Sequence, residues 1–421
     1  MQTKEEITQA VRSLCKAAVK GAPTLALCNS EERNRALSRV AQSLCDAKAD
    51  ILEANRSDLD KAAENGVPRV MLDRLTLTEQ RLDAIAAAVR ALTELPDPLA
   101  GAESWTRPSG ITITRAKVPL GVVAIIYEAR PNVTADAAAL CIKSGNAVIL
   151  RGGKEAIATN RAIVKAIRKA LVACGISEDV VGLVESTDRE SANALMQMRG
   201  LVDVLIPRGG KGLIRNCVDN ARIPVIETGA GNCHVYIDKA ADLDMALSVT
   251  INAKCQRPSV CNAAETLLLH RDVAKAFLPT FHTATRAWSL ELRGCPESRA
   301  ILPGIAPATE EDFATEYNDY IMSVKVVGSL EEATEHIARY GTRHSEAIVT
   351  ADESAAERFA DLVDAAAVYH NASTRFTDGE VFGFGAEIGI STQKLHARGP
   401  MGLDALTTVK YRVRGEGAVR K

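Results

Sequence analysis

The sequence lacks the features that mark membrane-spanning, secreted and metal-binding proteins. No apolar run approaches the ~20 residues that are needed to cross a bilayer, and the polar, acidic first residues do not resemble the apolar core of a secretory signal. The ten cysteines show neither CxxC spacing nor repeated intervals, and the seven histidines show no metal-ligand spacing. We therefore expect a reduced, cytoplasmic protein with no membrane segment, no disulfide framework and no bound metal.

The charge balance and the length limit the partners and the organisation of the chain. Charged residues make up 25% of the 421 residues and the formal net charge is −2, so nothing favours nucleic acid or an anionic membrane as a partner. The dinucleotide fingerprint GxGxxG is also absent. A chain of this length is too long for one hydrophobic core, which predicts two or three domains.

The first ~95 residues have the apolar spacing of helices. Thr3 with Glu6, and Thr76 with Glu79, match the capping-box pattern that begins a helix. After these predicted helices, the stretch 111–118 alternates apolar and polar residues, as a strand with one buried and one exposed face does.

Between residues 120 and 240, short apolar runs alternate with segments of helical spacing. Strands that are apolar along their whole length and alternate with helices indicate a parallel sheet covered on both faces, hence an α/β fold. After Cys261 the alternation becomes irregular, and the closing stretch 406–413 again has the pattern of a strand. The predicted strands of the central region are Val122–Ile126, Ala147–Leu150, Val180–Val184, Val202–Ile206, Val225–Ile226 and Val235–Ile237, and its predicted helices are 134–144, 155–173, 189–198 and 210–221.

Two glycine-containing loops, 151–154 and 207–212, follow predicted strands, at the end of a parallel sheet where ligands bind. Glycine lets the backbone approach a ligand closely, and cations suit phosphate. The same residue types also form ordinary solvated turns. Two such loops on one sheet favour a phosphate-bearing cofactor, with Arg151, Lys154, Arg208, Gly209 and Gly210 as its candidate ligands.

The segment 255–261, Cys-Gln-Arg-Pro-Ser-Val-Cys, contains two thiols and a guanidinium. A thiol with a modestly lowered pKa can attack an acyl carbon at neutral pH, and a nearby guanidinium can supply that shift. Glu227 adds a carboxylate at the end of a predicted strand. The alternative is that Cys261 is a small buried hydrophobe, as most free cysteines are.

Two other polar residues have a functional and a structural interpretation. Asn132 could direct its amide N–H at a developing oxyanion from a strand end, or it could be a helix N-cap. Glu316 could bind a ribose hydroxyl, or it could be an ordinary exposed carboxylate.

Five motifs, spread over nearly the whole chain, resemble the gamma-glutamyl phosphate reductase family, which belongs to the aldehyde dehydrogenase superfamily. Their number, length and order make the resemblance highly specific. The motifs are YEARPNVT at 127–134, ETGAGNCH at 227–234, QRPSVCN at 256–262, NASTRFTDG at 371–379 and LHARGPMG at 395–402.

The resemblance implies an aldehyde dehydrogenase-like fold with a parallel-sheet cofactor domain, an α/β catalytic domain and a small β oligomerisation element. It also implies a homo-oligomer, a dimer or a tetramer. The expected boundaries are 1–105 and 121–228 for the NADPH-binding domain, 229–392 for the catalytic domain, and 106–120 and 393–421 for the oligomerisation element.

The resemblance further implies roles for single residues. It places the nucleophile at Cys261 rather than Cys255, and it likens Asn132 to the superfamily's oxyanion asparagine. Glu227 matches the general base of hydrolytic relatives, and Glu316 matches the carboxylate that holds the nicotinamide ribose. A bidentate guanidinium suits the carboxylate and phosphate of the substrate. The candidates for that role are Arg130, Arg257, Arg375 and Arg398.

The activity that the resemblance implies is reduction of gamma-glutamyl phosphate to glutamate semialdehyde in proline biosynthesis, with glutamate 5-kinase as a possible partner. The semialdehyde then cyclises to 1-pyrroline-5-carboxylate. One alternative is a hydrolytic aldehyde dehydrogenase that oxidises a semialdehyde, and another is a catalytically silent member that binds a nucleotide or a pathway partner.

The cofactor preference follows from a departure from the wider superfamily. Where NAD-preferring relatives commonly have an acidic residue, this chain has Lys154, with Arg151 at the neighbouring lysine position. A carboxylate would bond the free ribose 2′-hydroxyl, whereas a cation attracts a 2′-phosphate. We therefore expect NADPH rather than NADH.

The Lys154→Glu variant tests this expectation. The added carboxylate should repel the 2′-phosphate, so NADPH binding should weaken roughly 10- to 100-fold while NADH binding changes little. Fluorescence titration of each cofactor measures both dissociation constants. An equal loss for the two cofactors would refute the role of Lys154.

Overall fold

A computed structural model describes residues 3–128 and 130–420, apart from the side chains of Arg69 and Val70. The chain divides into two units. The first contains Met1–Glu227, Gly383–Gly389 and Met401–Lys421, and the second contains Thr228–Phe382 and Ile390–Pro400. None of the described helices combines the length and the hydropathy that a membrane crossing requires.

The N-terminal part of the first unit is helical. The predicted capping box at the start of the first helix is confirmed, because the Glu6 N–H donates to Thr3 Oγ1 and the Thr3 N–H donates to Glu6 Oε2. The second predicted box is wrong, since the Thr76 hydroxyl donates to the Leu72 carbonyl and Thr78 caps the next helix instead. The helices are α1 (Lys4–Ala26), α2 (Ser30–Asp46), α3 (Lys48–Glu64), α4 (Arg69–Leu75) and α5 (Glu79–Ala91).

A four-stranded sheet forms the centre of the first unit, and its strands are parallel in the order β5-β4-β3-β6. All residues of β3 are buried, as its continuous apolar run predicts. The predicted strand Val225–Ile226 is reduced to an isolated bridge between Val225 and Leu205. The strands are β3 (Val122–Tyr127), β4 (Ala147–Arg151), β5 (Val181–Leu183) and β6 (Val204–Arg208), and the helices between and after them are α6 (Pro131–Lys143), α7 (Ile157–Val172), α8 (Arg189–Met196) and α9 (Lys211–Asn220).

The second unit contains a seven-stranded parallel sheet in the order β10-β9-β11-β8-β7-β12-β13. The sequence also predicts a second run of strands and helices after Cys261, through Val368, and this run is confirmed, but its strands and helices alternate regularly rather than irregularly. The predicted strand 235–237 belongs to this sheet. The strands are β7 (Cys233–Ile237), β8 (Ala264–His270), β9 (Glu291–Gly294), β10 (Ala306–Pro307), β11 (Ile321–Val327), β12 (Ser345–Val349) and β13 (Ala367–His370), and the helices are α10 (Leu243–Cys255), α11 (Arg271–Ala284), α12 (Pro296–Ile301), α13 (Glu310–Phe313), α14 (Leu330–Tyr340) and α15 (Glu353–Leu362).

Antiparallel pairs complete both units. In the first unit β1 (Ala102–Thr106), β2 (Thr112–Pro119) and β16 (Thr407–Arg414) form a ribbon, which confirms the strands predicted at 111–118 and 406–413. In the second unit β14 (Ile390–Ser391) pairs with β15 (Gly399–Pro400). The α/β class expected from the sequence is therefore confirmed, with parallel sheets at the centre of each unit.

Asn146 joins the parallel sheet of the first unit to this ribbon. Its side chain is buried at 1% exposure. It accepts the Gly121 N–H at 2.8 Å, and it donates to the Leu406 carbonyl at 2.9 Å and to Ser144 Oγ at 2.8 Å. Because buried polar groups without partners are costly, this side chain fixes the start of β3 relative to the start of β16.

We expect Asn146→Ala to lower the free energy of unfolding of the first unit by about 3 kcal/mol, since buried donors and acceptors lose their partner. Urea unfolding should show a lower midpoint at an unchanged slope. Asn65→Ala is the matched control, because Asn65 is exposed and its side chain donates to the Lys61 carbonyl within the same helical turn. Equal midpoints for the two variants would contradict the joining role of Asn146.

Candidate active site

The two cysteines of the segment 255–261 have opposite environments. Cys255 ends α10, is 1% exposed and belongs to the hydrophobic core of the second unit. Burial raises its pKa to about 11, so it stays a thiol at neutral pH. Cys261 is half-buried in the loop between α10 and β8. Cys261 is therefore the thiol of this segment that a substrate can reach.

The backbone of Cys261 is held by the loop that precedes β7. A Cβ atom added to Gly231 would lie 1.5 Å from the Cys261 carbonyl oxygen and 2.6 Å from its Cα atom. The Cys233 thiol donates to the same carbonyl oxygen at 3.2 Å. Burial raises the pKa of Cys233 well above its usual range, so this donor keeps its proton. The glycine loop and Cys233 thus fix the chain at Cys261.

Glu316 is bonded to the same glycine loop. Its Oε1 atom accepts the Gly231 N–H at 2.8 Å, and its side chain is half-buried. The contact links the carboxylate expected at the ribose to the backbone that packs on Cys261. Gly231 and Cys233 lie in the motif 227–234 of the sequence analysis. Their contacts with Cys261 join residues about thirty positions apart, so short sequence patterns could not predict them.

Arg375 contacts both sides of the Cys261 loop. Its Nε atom donates to Gln256 Oε1 at 2.9 Å, and its Nη1 atom donates to Asn262 Oδ1. Asn262 in turn donates two hydrogen bonds from Nδ2, to the Thr377 carbonyl at 2.9 Å and to the Arg375 carbonyl at 3.3 Å. The segment that contains Arg375 is therefore firmly bonded to the residue after Cys261.

The other two candidate arginines of the second unit differ in their hydrogen bonds and ion pairs. Arg257 is exposed, and no hydrogen bond or ion pair joins it to another residue of the described chain. Arg398 donates to Asp364 Oδ1 at 2.7 Å, and Lys394 lies 2.9 Å from the same carboxylate. Hydrogen bonds from Lys394 and Arg398 lower the pKa of Asp364 to about 2. Arg257 is thus the more available cation for an anionic ligand.

Asn132 lies in the first turn of α6 rather than at a strand end, behind Pro131. The N-cap alternative is wrong, because Arg130 occupies the cap position and Asn132 Nδ2 donates along the helix to Asp136 Oδ2 at 3.1 Å. Burial raises the pKa of Asp136 to about 6, against the bond from Asn132 and the charge of Arg208. Asp136, which the sequence analysis missed, therefore orients the exposed amide of Asn132.

The two cations of the loop after β4 have different environments. Arg151 is half-buried and donates from Nη2 to the carbonyls of Thr187 at 3.3 Å and Asp188 at 3.1 Å, so it supports the start of α8. Lys154 is exposed, and it forms no ion pair with the rest of the described residues. Lys154 is consequently the cation of this loop that is available to a phosphate.

The loop after β6 approaches a carboxylate that the sequence analysis did not single out. The Gly210 N–H donates to Glu128 Oε2 at 3.1 Å, and a Cβ atom at Gly209 would lie 2.6 Å from Glu128 Cδ. A side chain at 209 would therefore displace the side chains of Glu128 and Leu213 from their present positions. Arg208 ends β6 beside this turn, and Glu227 is half-buried at the end of the first unit.

The predicted site residues are divided between the two units. The first unit contains Asn132, Glu227, Arg130, Arg151, Lys154, Arg208, Gly209 and Gly210, and the second contains Cys261, Arg257, Glu316, Arg375 and Arg398. Among the described residues, no group of three or more histidine, cysteine or acidic side chains could hold a metal ion.

Comparisons with known proteins agree with one another. The model of the aldehyde dehydrogenase family matches residues 1–301. Gamma-glutamyl phosphate reductase of Moorella thermoacetica is 56% identical over 96% of each chain, and that of Halothermothrix orenii is 52% identical over 100% of each. The crystal structure of gamma-glutamyl phosphate reductase from Thermotoga maritima matches with a TM-score of 0.96 at 48% identity, over 98% of this chain and 100% of that one.

The Gly231→Ala variant tests the packing at Cys261. Its methyl group would displace the Cys261 backbone, and a misplacement of about 1 Å can cost on the order of 100-fold in rate. We expect a loss of that size in turnover, together with an altered rate of Cys261 alkylation by iodoacetamide. Gly415→Ala is the control, because its added Cβ would lie 3.3 Å from a side-chain methyl of Ile111 near the C-terminus. Equal behaviour of both variants would show that the contact is unimportant.

Proposed function

The chain belongs to the gamma-glutamyl phosphate reductases of the aldehyde dehydrogenase family, and on that premise we propose an NADPH-dependent reduction that proceeds through a thioacyl bond to Cys261. The substrate is L-glutamate 5-phosphate, and the products are L-glutamate 5-semialdehyde and phosphate. The observation that carries the proposal is the contrast between the buried Cys255 and the accessible, backbone-held Cys261.

Cys261 forms and breaks the covalent bond in this reaction. Its thiolate sulfur attacks the acyl carbon, a C–S bond forms, and the C–O bond to phosphate breaks with its electron pair leaving on phosphate. The thioester then accepts a hydride. The resulting hemithioacetal oxyanion re-forms the carbonyl double bond, and the C–S bond breaks with its electron pair leaving on sulfur, which releases the semialdehyde and restores the thiolate.

Oxyanion donors lower both barriers. The backbone N–H of Cys261 and the amide of Asn132 are the proposed donors, and each contributes roughly 3 kcal/mol. The geometry supports this for Asn132, since Asp136 holds its amide nitrogen at 3.1 Å and leaves it exposed. Water must be kept from the thioester. A water-activating base would therefore be harmful in this direction, so we propose that Glu227 tunes the thiol or moves protons instead.

The residues of the first unit fit a phosphate-bearing nicotinamide cofactor. NADPH supplies the hydride when it is bound. The exposed ammonium of Lys154 is suited to its 2′-phosphate, while Arg151 supports the loop, and Arg208 with Gly209 and Gly210 forms the second candidate loop. The half-buried carboxylate of Glu316 in the second unit is the proposed partner of the ribose.

The substrate's anionic groups call for cationic partners, and Arg257 fits this role because it is exposed and forms no ion pair or hydrogen bond with the described residues. Arg130 and Arg398 stay candidates for the other anionic group. The released semialdehyde carries an amine that closes a five-membered imine, 1-pyrroline-5-carboxylate. The wider proposal includes a cytoplasmic location, assembly as a dimer or tetramer through 106–120 and 393–421, and supply of substrate by glutamate 5-kinase.

A second candidate is a hydrolytic semialdehyde dehydrogenase, which the presence of Glu227 at the general-base position favours. Reverse turnover distinguishes the two. With pyrroline-5-carboxylate and NADP⁺, we expect reduction of NADP⁺ to depend on added phosphate, because phosphate must release the acyl group from Cys261. Oxidation at an equal rate in phosphate-free buffer would establish the hydrolytic activity and refute the reductase mechanism.

The same assay tests the nucleophile. Cys261→Ser should lower turnover by at least about 1000-fold, since a serine hydroxyl stays protonated at neutral pH and is a much weaker nucleophile than a thiolate. Cys255→Ser is the matched control, and it should affect stability more than turnover because Cys255 lies in the core. Full activity of Cys261→Ser would overturn the choice of nucleophile.

A further inference from the structure

We propose that Arg375 is a positioning residue that clamps the Cys261 loop and stabilises its thiolate, rather than a ligand of the substrate. The inference rests on the proposed role of Cys261 as the nucleophile. It assigns Arg375 a function that the chemistry of the substrate alone would not suggest.

The first support is the pair of side chains that Arg375 bonds. Gln256 and Asn262 flank the proposed nucleophile in the sequence, Gln256 five residues before Cys261 and Asn262 one residue after it. A single planar guanidinium donates to both, from Nε and from Nη1. Because the fork of an arginine is rigid, these bonds fix the spacing between the two ends of the loop.

The second support is that Asn262 is itself held in place. Its Nδ2 atom donates to the carbonyls of Arg375 and Thr377, and its own carbonyl accepts the Thr374 hydroxyl at 2.7 Å. Asn262 is 4% exposed. The residue after the nucleophile thus cannot move without breaking several buried bonds to the segment that contains Arg375.

The third support is charge. Burial lowers the pKa of Arg375 and the charge of Arg257 lowers it further, whereas the charges of Cys261 and Asp378 raise it. The interaction between Arg375 and Cys261 is reciprocal, so the guanidinium favours the thiolate of Cys261. Arg257 supplies a second positive charge, but its side chain forms no hydrogen bond that holds the described part of the loop in place. Its guanidinium is therefore available to bind substrate.

The test measures alkylation of Cys261 by iodoacetamide as a function of pH, in the full-length protein without substrate or cofactor, with the modified residue identified by mass spectrometry. In Arg375→Gln, the midpoint of the pH profile should rise by about 1 unit, because a cation close to an ionisable group shifts its pKa by about that amount. Arg375→Lys, which keeps the charge and loses the fork, should recover part of that shift.

Arg257→Gln is the matched control from the same loop. It should raise KM for the acyl phosphate while moving the alkylation midpoint less than Arg375→Gln does. Asn262→Ala removes the loop side of the clamp and leaves the arginine in place, so it should slow alkylation as well. This second variant keeps the test decisive if Arg375→Gln does not fold.

Unchanged alkylation profiles in both Arg375→Gln and Asn262→Ala, with only KM raised in the former, would overturn the proposal and make Arg375 a substrate ligand. The two proposals fail separately. Turnover by Cys261→Ser would refute the nucleophile whatever Arg375 does, whereas an inactive Cys261→Ser combined with wild-type alkylation in both Arg375→Gln and Asn262→Ala would refute only the clamp.

Discussion

The close approach of Gly231 to the Cys261 backbone is the constraint on which the chemistry of the second unit depends. The space at this position admits no side chain, and the Cys233 thiol donates to the same carbonyl oxygen. A backbone N–H stabilises an oxyanion only when it is already placed where the charge develops. A displaced backbone would therefore move together the sulfur and the N–H group for which we propose the roles of nucleophile and oxyanion donor.

A buried ion pair anchors the other end of the same segment. Lys254 Nζ donates to Glu265, both side chains are fully buried, and Glu265 Oε1 also accepts the Asn318 N–H at 3.3 Å. Burial raises the pKa of Glu265 to about 7, while the charge of Lys254 opposes the shift. Removing one partner from such a pair typically costs about 3–5 kcal/mol. The pair thus connects α10, which precedes the Cys261 loop, with the turn that follows Glu316.

Much of the fold could be predicted because parallel strands are continuous apolar runs. Where the run is local, as at β3, the predicted and observed strands nearly coincide. The failures have two causes. Thr76 matched a capping pattern, but its hydroxyl bonds the preceding helix. Periodicity grouped the strand at 235–237 with the strands of the first unit, although the family resemblance placed it in the catalytic domain, since an apolar run indicates burial and does not specify which strand lies beside it.

The residue types of the candidate site were determined by the sequence itself: a thiol in a cationic segment, and glycines and a lysine in loops that follow strands. Only the tertiary structure decided which thiol is buried in the core and which is accessible, and only it brought Arg375 to Gln256 across 119 residues. The physical reason is that residue type sets what a side chain can do. Burial and hydrogen-bond partners come from contacts between distant segments, and these exist only once the chain has folded.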